Sequence, residues 1–149
     1  MEEYDRLKAK LQEQLGSEDD VTARMATMAT MLHDSDGRFD WTGFYRVASP
    51  DRMVVGPYAG PVARVSISTD DGIVGSCLRT GTAQMVVDGS ADEMRTDAGP
   101  SVRSSLALPV KDTQDDTIAV LALDSDERDA FDEVDVSGLT DILDHVFPR

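Results

Sequence analysis

The chain reads as an α+β sandwich, a central antiparallel sheet with its N- and C-terminal helices packed together on one face. Apolar residues recur at three- and four-residue steps near both ends, whereas the middle, from Trp41 to Asp124, breaks into short β-rich runs punctuated by Gly, Pro and Asp. A length of 149 residues suits one core that buries about 70% of the surface an unfolded chain exposes. A single domain over residues 1–149 is therefore expected.

Each element has its own local reason. Tyr4, Leu7, Leu11 and Leu15 share one face of a charged helix that Gly16 ends, forming an N-terminal extension over residues 1–16. Ser17 followed by Glu18-Asp19-Asp20 reads as the cap of a second helix, with Val21, Met25, Met28, Met31 and Leu32 on one side and Asp34-Ser35-Asp36-Gly37 at its end. Methionine at helical spacing fills cores and helix seams more often than it forms a binding surface, so the stripe is read as packing.

Trp41 to Ala48, Arg52 to Gly56 and Val62 to Ile67 follow as a meander of strands, turned at Ser49-Pro50-Asp51 and at Gly-Pro steps. Asp71-Gly72-Ile73-Val74-Gly75 leads into a brief helix over Ser76 to Arg79, closed by Gly81, and Gln84 to Val87 is another strand. Residues 88 to 103 are polar with Gly and Pro, a long loop with room for one short helix. Ser104 to Val110 and Thr117 to Asp124, joined by the acidic turn Lys111 to Asp116, are the most apolar strands and should lie at the sheet centre. Phe131-Asp132-Glu133 opens a last helix with Val136, Leu139, Ile142, Leu143 and Val146 on one face. The helix faces at the two ends are wider than one sheet face needs, which suggests a homodimer through the terminal helices.

Composition removes several functions. The net charge is -15, from 22 Asp and 7 Glu against 11 Arg and 3 Lys. Phosphate backbones need clustered cations, so nucleic acid and anionic membranes are not expected partners. The acids are spread over every turn and helix face, and such a surface repels itself until salt near 1 M shortens the Debye length to about 3 Å. A salt-rich cytoplasm is the expected setting. Met1-Glu2-Glu3-Tyr4-Asp5-Arg6 shows neither a basic stretch nor an apolar run, and no segment approaches the ~20 apolar residues of a membrane span. One cysteine and two histidines speak against a disulfide framework and a structural zinc site, and no cofactor or metal is expected.

Four segments carry a resemblance across Met28 to Val146. These are Trp41-Thr42-Gly43-Phe44-Tyr45, Gly56-Pro57-Tyr58-Ala59-Gly60-Pro61, Asp71-Gly72-Ile73-Val74-Gly75, and Leu123-Asp124-Ser125 with Phe131-Asp132. They resemble the free methionine-(R)-sulfoxide reductases, a branch of the GAF domain family, and imply a GAF/PAS-like sandwich. In that branch, the resemblance implies, a cysteine thiolate attacks the sulfoxide sulfur and a second cysteine, recycled by thioredoxin, resolves the sulfenic acid. This chain lacks the sulfur at those places: Val74 stands where the branch has one cysteine, and Arg95-Thr96-Asp97 where it has the attacking one. A threonine hydroxyl cannot form a sulfenate. Ser105 in Arg103-Ser104-Ser105 and Ala122 replace two of the branch's acids, leaving Asp124, and Gly99-Pro100 lengthens the loop before Arg103.

What the resemblance leaves is a candidate ligand set of Trp41, Tyr45, Asp124, Ser105, Thr96 and Asp97. Aromatic faces suit a methyl-bearing sulfur or a cation, and a lone acid suits an amine. The same residues also fit a plainer role, with Trp41 and Tyr45 as inward strand residues and Asp124 capping the loop behind it. Cys77 is either a small buried apolar residue or, in an oxidoreductase with an external resolving thiol, the nucleophile. His33 and His145 sit near helix ends, where an imidazolium favours the dipole, and Arg103 suits a surface ion pair or an anion contact. Haem, bilins and cyclic nucleotides, bound by other GAF branches, have no supporting residues here. The expectation is a non-catalytic module that binds a small molecule or pairs with itself.

Overall fold

The computed structural model describes residues 2–88 and 102–147. Thr96, Asp97 and most of the loop expected over 88 to 103 lie outside the described residues.

Helix α1 (Glu2–Leu15) buries Tyr4, Leu7, Leu11 and Leu15, the face its spacing predicts. Helix α2 (Val21–Ser35) is capped by Asp20 and not by Ser17: the Asp20 carboxylate accepts the Ala23 N–H at 2.8 Å. A cap side chain reaches the second or third helical N–H, and Ser17 lies too far upstream. Glu18 instead takes the backbone N–H groups of Asp19 and Asp20 at 3.1 and 3.0 Å. Met25 and Met28 are 2% and 0% exposed, so the methionine stripe is core.

The described strands are β1 (Trp41–Ser49), β2 (Arg52–Ala59), β3 (Ser66–Ser68), β4 (Gln84–Val86), β5 (Ser104–Lys111) and β6 (Thr117–Ser125). They form one antiparallel sheet in the order β3-β2-β1-β6-β5-β4, in which β6 is central as predicted but shares the centre with β1, while β5 lies one place out, beside the edge strand β4. Two boundaries differ from expectation. The strand expected over Val62 to Ile67 shrinks to β3, since Val62 and Val65 are exposed in a loop, whereas β2 runs past Gly56 to Ala59. Pro57 is tolerated there because the register jumps from Gly43↔Tyr58 to Tyr45↔Val55, a bulge in which its missing N–H breaks no ladder.

Alternation along the strands sends side chains to two cores. Phe44, Leu106, Leu108, Ala119, Leu121 and Leu123 meet α1, α2 and α4 (Glu133–Val146) on one face. On the other, Trp41, Tyr45, Met53, Ala107, Val120 and Ala122 meet Val74 and Cys77 of α3 (Gly72–Thr80). Helix α3 starts four residues before the predicted Ser76, on Gly72 at φ +54°, and ends on Gly81 at φ +69°.

One polar knot fastens the helices. Asp135, 4% exposed, accepts the Tyr4 hydroxyl, two Arg38 N–H groups at 3.0 and 3.2 Å, and the Asp132 backbone N–H at 2.9 Å as half of a capping box. The Tyr4 ring lies on Gly138, where an added Cβ would fall 2.6 Å from the ring Cγ. Tyr4, Leu7, Leu11 and Leu15 therefore occupy the surplus width of the α2 and α4 faces within a single chain. That width no longer argues for a homodimer.

Candidate functional site

The face of the sheet under α3 is built in rows by strand register. Trp41 pairs with Asp124, and Asp124 with Ser105. The next row, Gly43, Ala122 and Ala107, is made of the smallest side chains, and Tyr45 and Val120 follow. A row of small residues between large ones lets neighbouring groups approach the sheet closely there.

Aromatic rings wall one side of that row. Trp41 stacks between Tyr45, at 5.7 Å between centroids, and Tyr58, at 5.2 Å, and its indole N–H donates to the Pro61 carbonyl at 3.0 Å. Glycine is required at 43, because an added Cβ would overlap the Tyr58 Cβ and lie 2.7 Å from Trp41 Cη2. The two glycine-bearing stretches that carry the resemblance are thus partners across β1 and β2, with Gly43 opposite Tyr58 and Thr42 opposite Ala59.

Polar groups are few on this face. The Ser105 hydroxyl donates to Asp124 Oδ1 at 2.7 Å, so these two predicted residues are joined, with Ser105 buried and Asp124 half-buried. The β6 exit behind them is held by Asp40, whose N–H donates to the Asp124 carbonyl at 2.9 Å and whose carboxylate accepts the Asp126 N–H at 2.7 Å. The loop behind Asp124 therefore has a cap of its own, in Asp40. Tyr45 is wholly buried, and among the described residues its hydroxyl has no hydrogen-bond partner. Buried Thr42 Oγ1 and His33 Nδ1 share that condition, on β1 and on α2.

Cys77 faces the same cluster from α3 and is 0% exposed. Burial pushes its thiol up to about 12, against which the distant charge of Lys111 works weakly. Its place in α3 is the last turn, ahead of Gly81, and not the helix start that would favour a thiolate. Val74, at the position of one of the branch's cysteines, is buried beside it.

The structure brings together Trp41, Tyr45, Asp124 and Ser105, with Cys77 above them, while Thr96 and Asp97 lie outside the described residues. Tyr58 is the wall residue that sequence reasoning did not single out, although it sits two residues after Gly56 in a stretch quoted for the resemblance. Arg103 donates its backbone N–H to the Ser125 carbonyl at 2.8 Å and is exposed at the side chain. No three His, Cys, Asp or Glu side chains converge on a metal position among the described residues. No described helix is long and apolar enough to cross a membrane.

An aromatic wall, a floor of small residues and one carboxylate on a curled antiparallel sheet define a GAF-type sandwich. The family model for the GAF domain matches residues 17–146, and the chain belongs to that family. A Zymomonas mobilis protein is 33% identical over 141 residues, which span 95% of this chain and 87% of that one. The free methionine-R-sulfoxide reductase of Escherichia coli is 25% identical over 129 residues, 87% of this chain and 77% of its own. The X-ray structure of the free methionine-R-sulfoxide reductase of Neisseria meningitidis in complex with its substrate aligns with TM-score 0.88 at 27% identity, covering 96% of this chain and 85% of that one. The similarity thus reaches the reductase branch, while this chain holds one cysteine.

Proposed function

We propose that this GAF domain binds a small metabolite over the Gly43–Ala122–Ala107 floor and performs no chemistry on it, with residues 1–149 forming one domain and α1 an extension of it. The observation that carries the binding reading is the wholly buried Tyr45 hydroxyl, without a partner among the described residues, on the same face as the Asp124 carboxylate. An unmet buried hydroxyl costs about 1–3 kcal/mol, which a ligand or an ordered water relieves. Trp41 and Tyr58 offer a flat apolar wall, and Asp124, steadied by Ser105, offers one negative charge. That set favours a ligand with an amine or a methylated sulfur.

Against turnover stands the thiol. Sulfoxide reduction needs a thiolate that reaches the sulfoxide sulfur, and Cys77 is buried with its proton held tightly. A salt-rich cytoplasm belongs to the same proposal, on the strength of the charge. So does self-association through the outer surfaces of α1, α2 and α4, which a light-scattering mass at the monomer value would remove.

A thermal-shift screen of amines, amino acids and thioethers, methionine and its R-sulfoxide included, tests the reading. A ligand at 100 times its dissociation constant adds about 2.7 kcal/mol, and the gain should vanish in Trp41→Ala and Asp124→Asn. Thioredoxin-coupled consumption of NADPH with free methionine-R-sulfoxide, abolished in Cys77→Ser, would instead make the protein an oxidoreductase and refute the proposal.

A further inference from the structure

Strand β3 is an edge of the sheet, bonded to β2 alone in the register Arg52↔Ser68, Met53↔Ile67 and Val54↔Ser66. The Val65 carbonyl accepts the Val55 N–H at 2.8 Å, and the Thr69 N–H donates to the Asp51 carbonyl at 3.2 Å. Backbone groups alternate in direction along a strand, so Val65, Ile67 and Thr69 face β2 while those of Ser66 and Ser68 point off the sheet. Among the described residues no backbone group bonds the Ser66 N–H, the Ser66 carbonyl or the Ser68 N–H. The Ser68 carbonyl takes the Asp71 N–H at 3.1 Å and keeps a second lone pair.

The side chains around this edge are as free as its backbone. Val65, at 75% exposure, and Val62, at 92%, are the most exposed large apolar side chains of the described residues. Arg64 has no ion pair or hydrogen bond among the described residues. On the far side of β3 the Asp70 carboxylate has one 3.9 Å pairing with Arg79 and is 89% exposed. Charge normally protects an edge by repelling a second strand. Here the two flanking charges are of opposite sign.

A strand that pairs with its own copy about a two-fold axis must be complementary to its own reverse. The antiparallel register centred on Ile67 sets Ser66 opposite Ser68 of the second copy and Arg64 opposite its Asp70, each twice over. Centring on Ser66 or Ser68 instead leaves Arg64 facing Ser68 or Gly72, so charge selects the first register. That register also lays Val65 beside Thr69 and Ile67 of the second copy, covering an apolar side chain that otherwise stands in water.

We propose that β3 is a self-association edge, joining two copies of the chain into one continuous sheet. The outer surfaces of α1, α2 and α4 stay free in that pair, so the inference stands apart from the helical contact and from any ligand at the aromatic face. A strand this short makes a small contact, for which a dissociation constant on the order of 0.1 mM is expected.

Sedimentation equilibrium of the full chain at fixed KCl, from about 10 μM to about 1 mM, tests it. A reversible monomer–dimer equilibrium is expected. Ser66→Pro should abolish it, because proline is tolerated on an edge whose N–H faces outward and the β2 ladder stays intact. Arg64→Asp and Asp70→Arg should each weaken pairing by about tenfold or more, and the two together should restore it to within about threefold. Both positions are exposed, so the charge variants fold normally. One reversal adds to the net negative charge and the other reduces it, so a loss in both cannot come from overall repulsion. A chain that is monomeric throughout, a dimer of undiminished affinity in Ser66→Pro, or a double variant that pairs no better than the single ones overturns the inference. The second of those results would move the contact to the helices.

Discussion

Removing the Asp135 carboxylate should cost about 3 kcal/mol, with the damage appearing at α1 as well as at α4. In Asp135→Ala the Tyr4 hydroxyl, the Asp132 N–H and the Arg38 guanidinium lose their shared acceptor at once. Deleting one member of a buried ion pair costs about 3–5 kcal/mol. The lower end applies here, because the Arg38 side chain is 30% exposed and keeps Asp36 at 2.8 Å. For a chain of this length about 3 kcal/mol lowers Tm by roughly 6–12 °C. Tyr4→Phe removes one donor and leaves the rest, so about 1.5 kcal/mol is expected.

The acid limb of the stability curve adds a second readout. Burial works to raise the Asp135 carboxyl, but the hydrogen bonds from Arg38, Tyr4 and the Asp132 backbone outweigh it and hold the group below the ordinary carboxylate range. Its contribution is therefore complete above the unfolded value of about 3.9 and is lost as pH falls through the lower folded value. Asp36 is depressed as well, with Arg38 overcoming its burial, so the slope shrinks in Asp135→Ala without disappearing. Urea unfolding of the three proteins from pH 7 down to pH 3, at constant KCl, measures both effects. A loss below about 1 kcal/mol, or an unchanged acid slope, would refute the view that Asp135 anchors the helices.

Three shorter expectations follow from the same structure. Gly43→Ala should destabilise by about 1–3 kcal/mol and shift the emission of Trp41, the sole tryptophan, because the new methyl meets the Tyr58 backbone as well as the indole; an unchanged spectrum contradicts the stacking. The Cys77 thiol should stay unlabelled by a thiol reagent in the folded protein and react fully in denaturant, and rapid labelling under native conditions would show that α3 does not seal it. The unfolding midpoint should rise as KCl is raised from low to molar concentration, since screening relieves the repulsion of a -15 charge; a flat or falling midpoint removes the salt-adapted reading.

What could be read in advance was whatever local spacing decides. The apolar steps of α1 and the interior places of β5 and β6 follow from side-chain pattern alone, though β1 and not β5 shares the centre with β6. Boundaries were lost where a single atom decides them, as when the carboxylate of Asp20 takes the Ala23 N–H and sets the helix start three residues beyond Ser17. The Tyr4–Asp135–Arg38 knot was invisible for another reason: its members lie 131 and 97 residues apart, and only the folded chain brings a phenol, a carboxylate and a guanidinium together. At the aromatic face, Trp41, Tyr45, Ser105 and Asp124 were named because a family motif pointed to them. Tyr58 was not, because its role comes from standing opposite Gly43, a pairing that a one-residue bulge shifts.

Strand β6 answers to both sides of the sheet. From Ala119 to Ser125 every side chain but Asp124 is buried, alternate ones serving the helices and the aromatic face, so no position in that run can drift without being felt in one layer or the other. The turn that feeds it is the reverse, with Thr113 to Asp116 all exposed. An affinity tag, a fluorophore or a surface-tethering group belongs in that turn, where it can report on the protein without editing it.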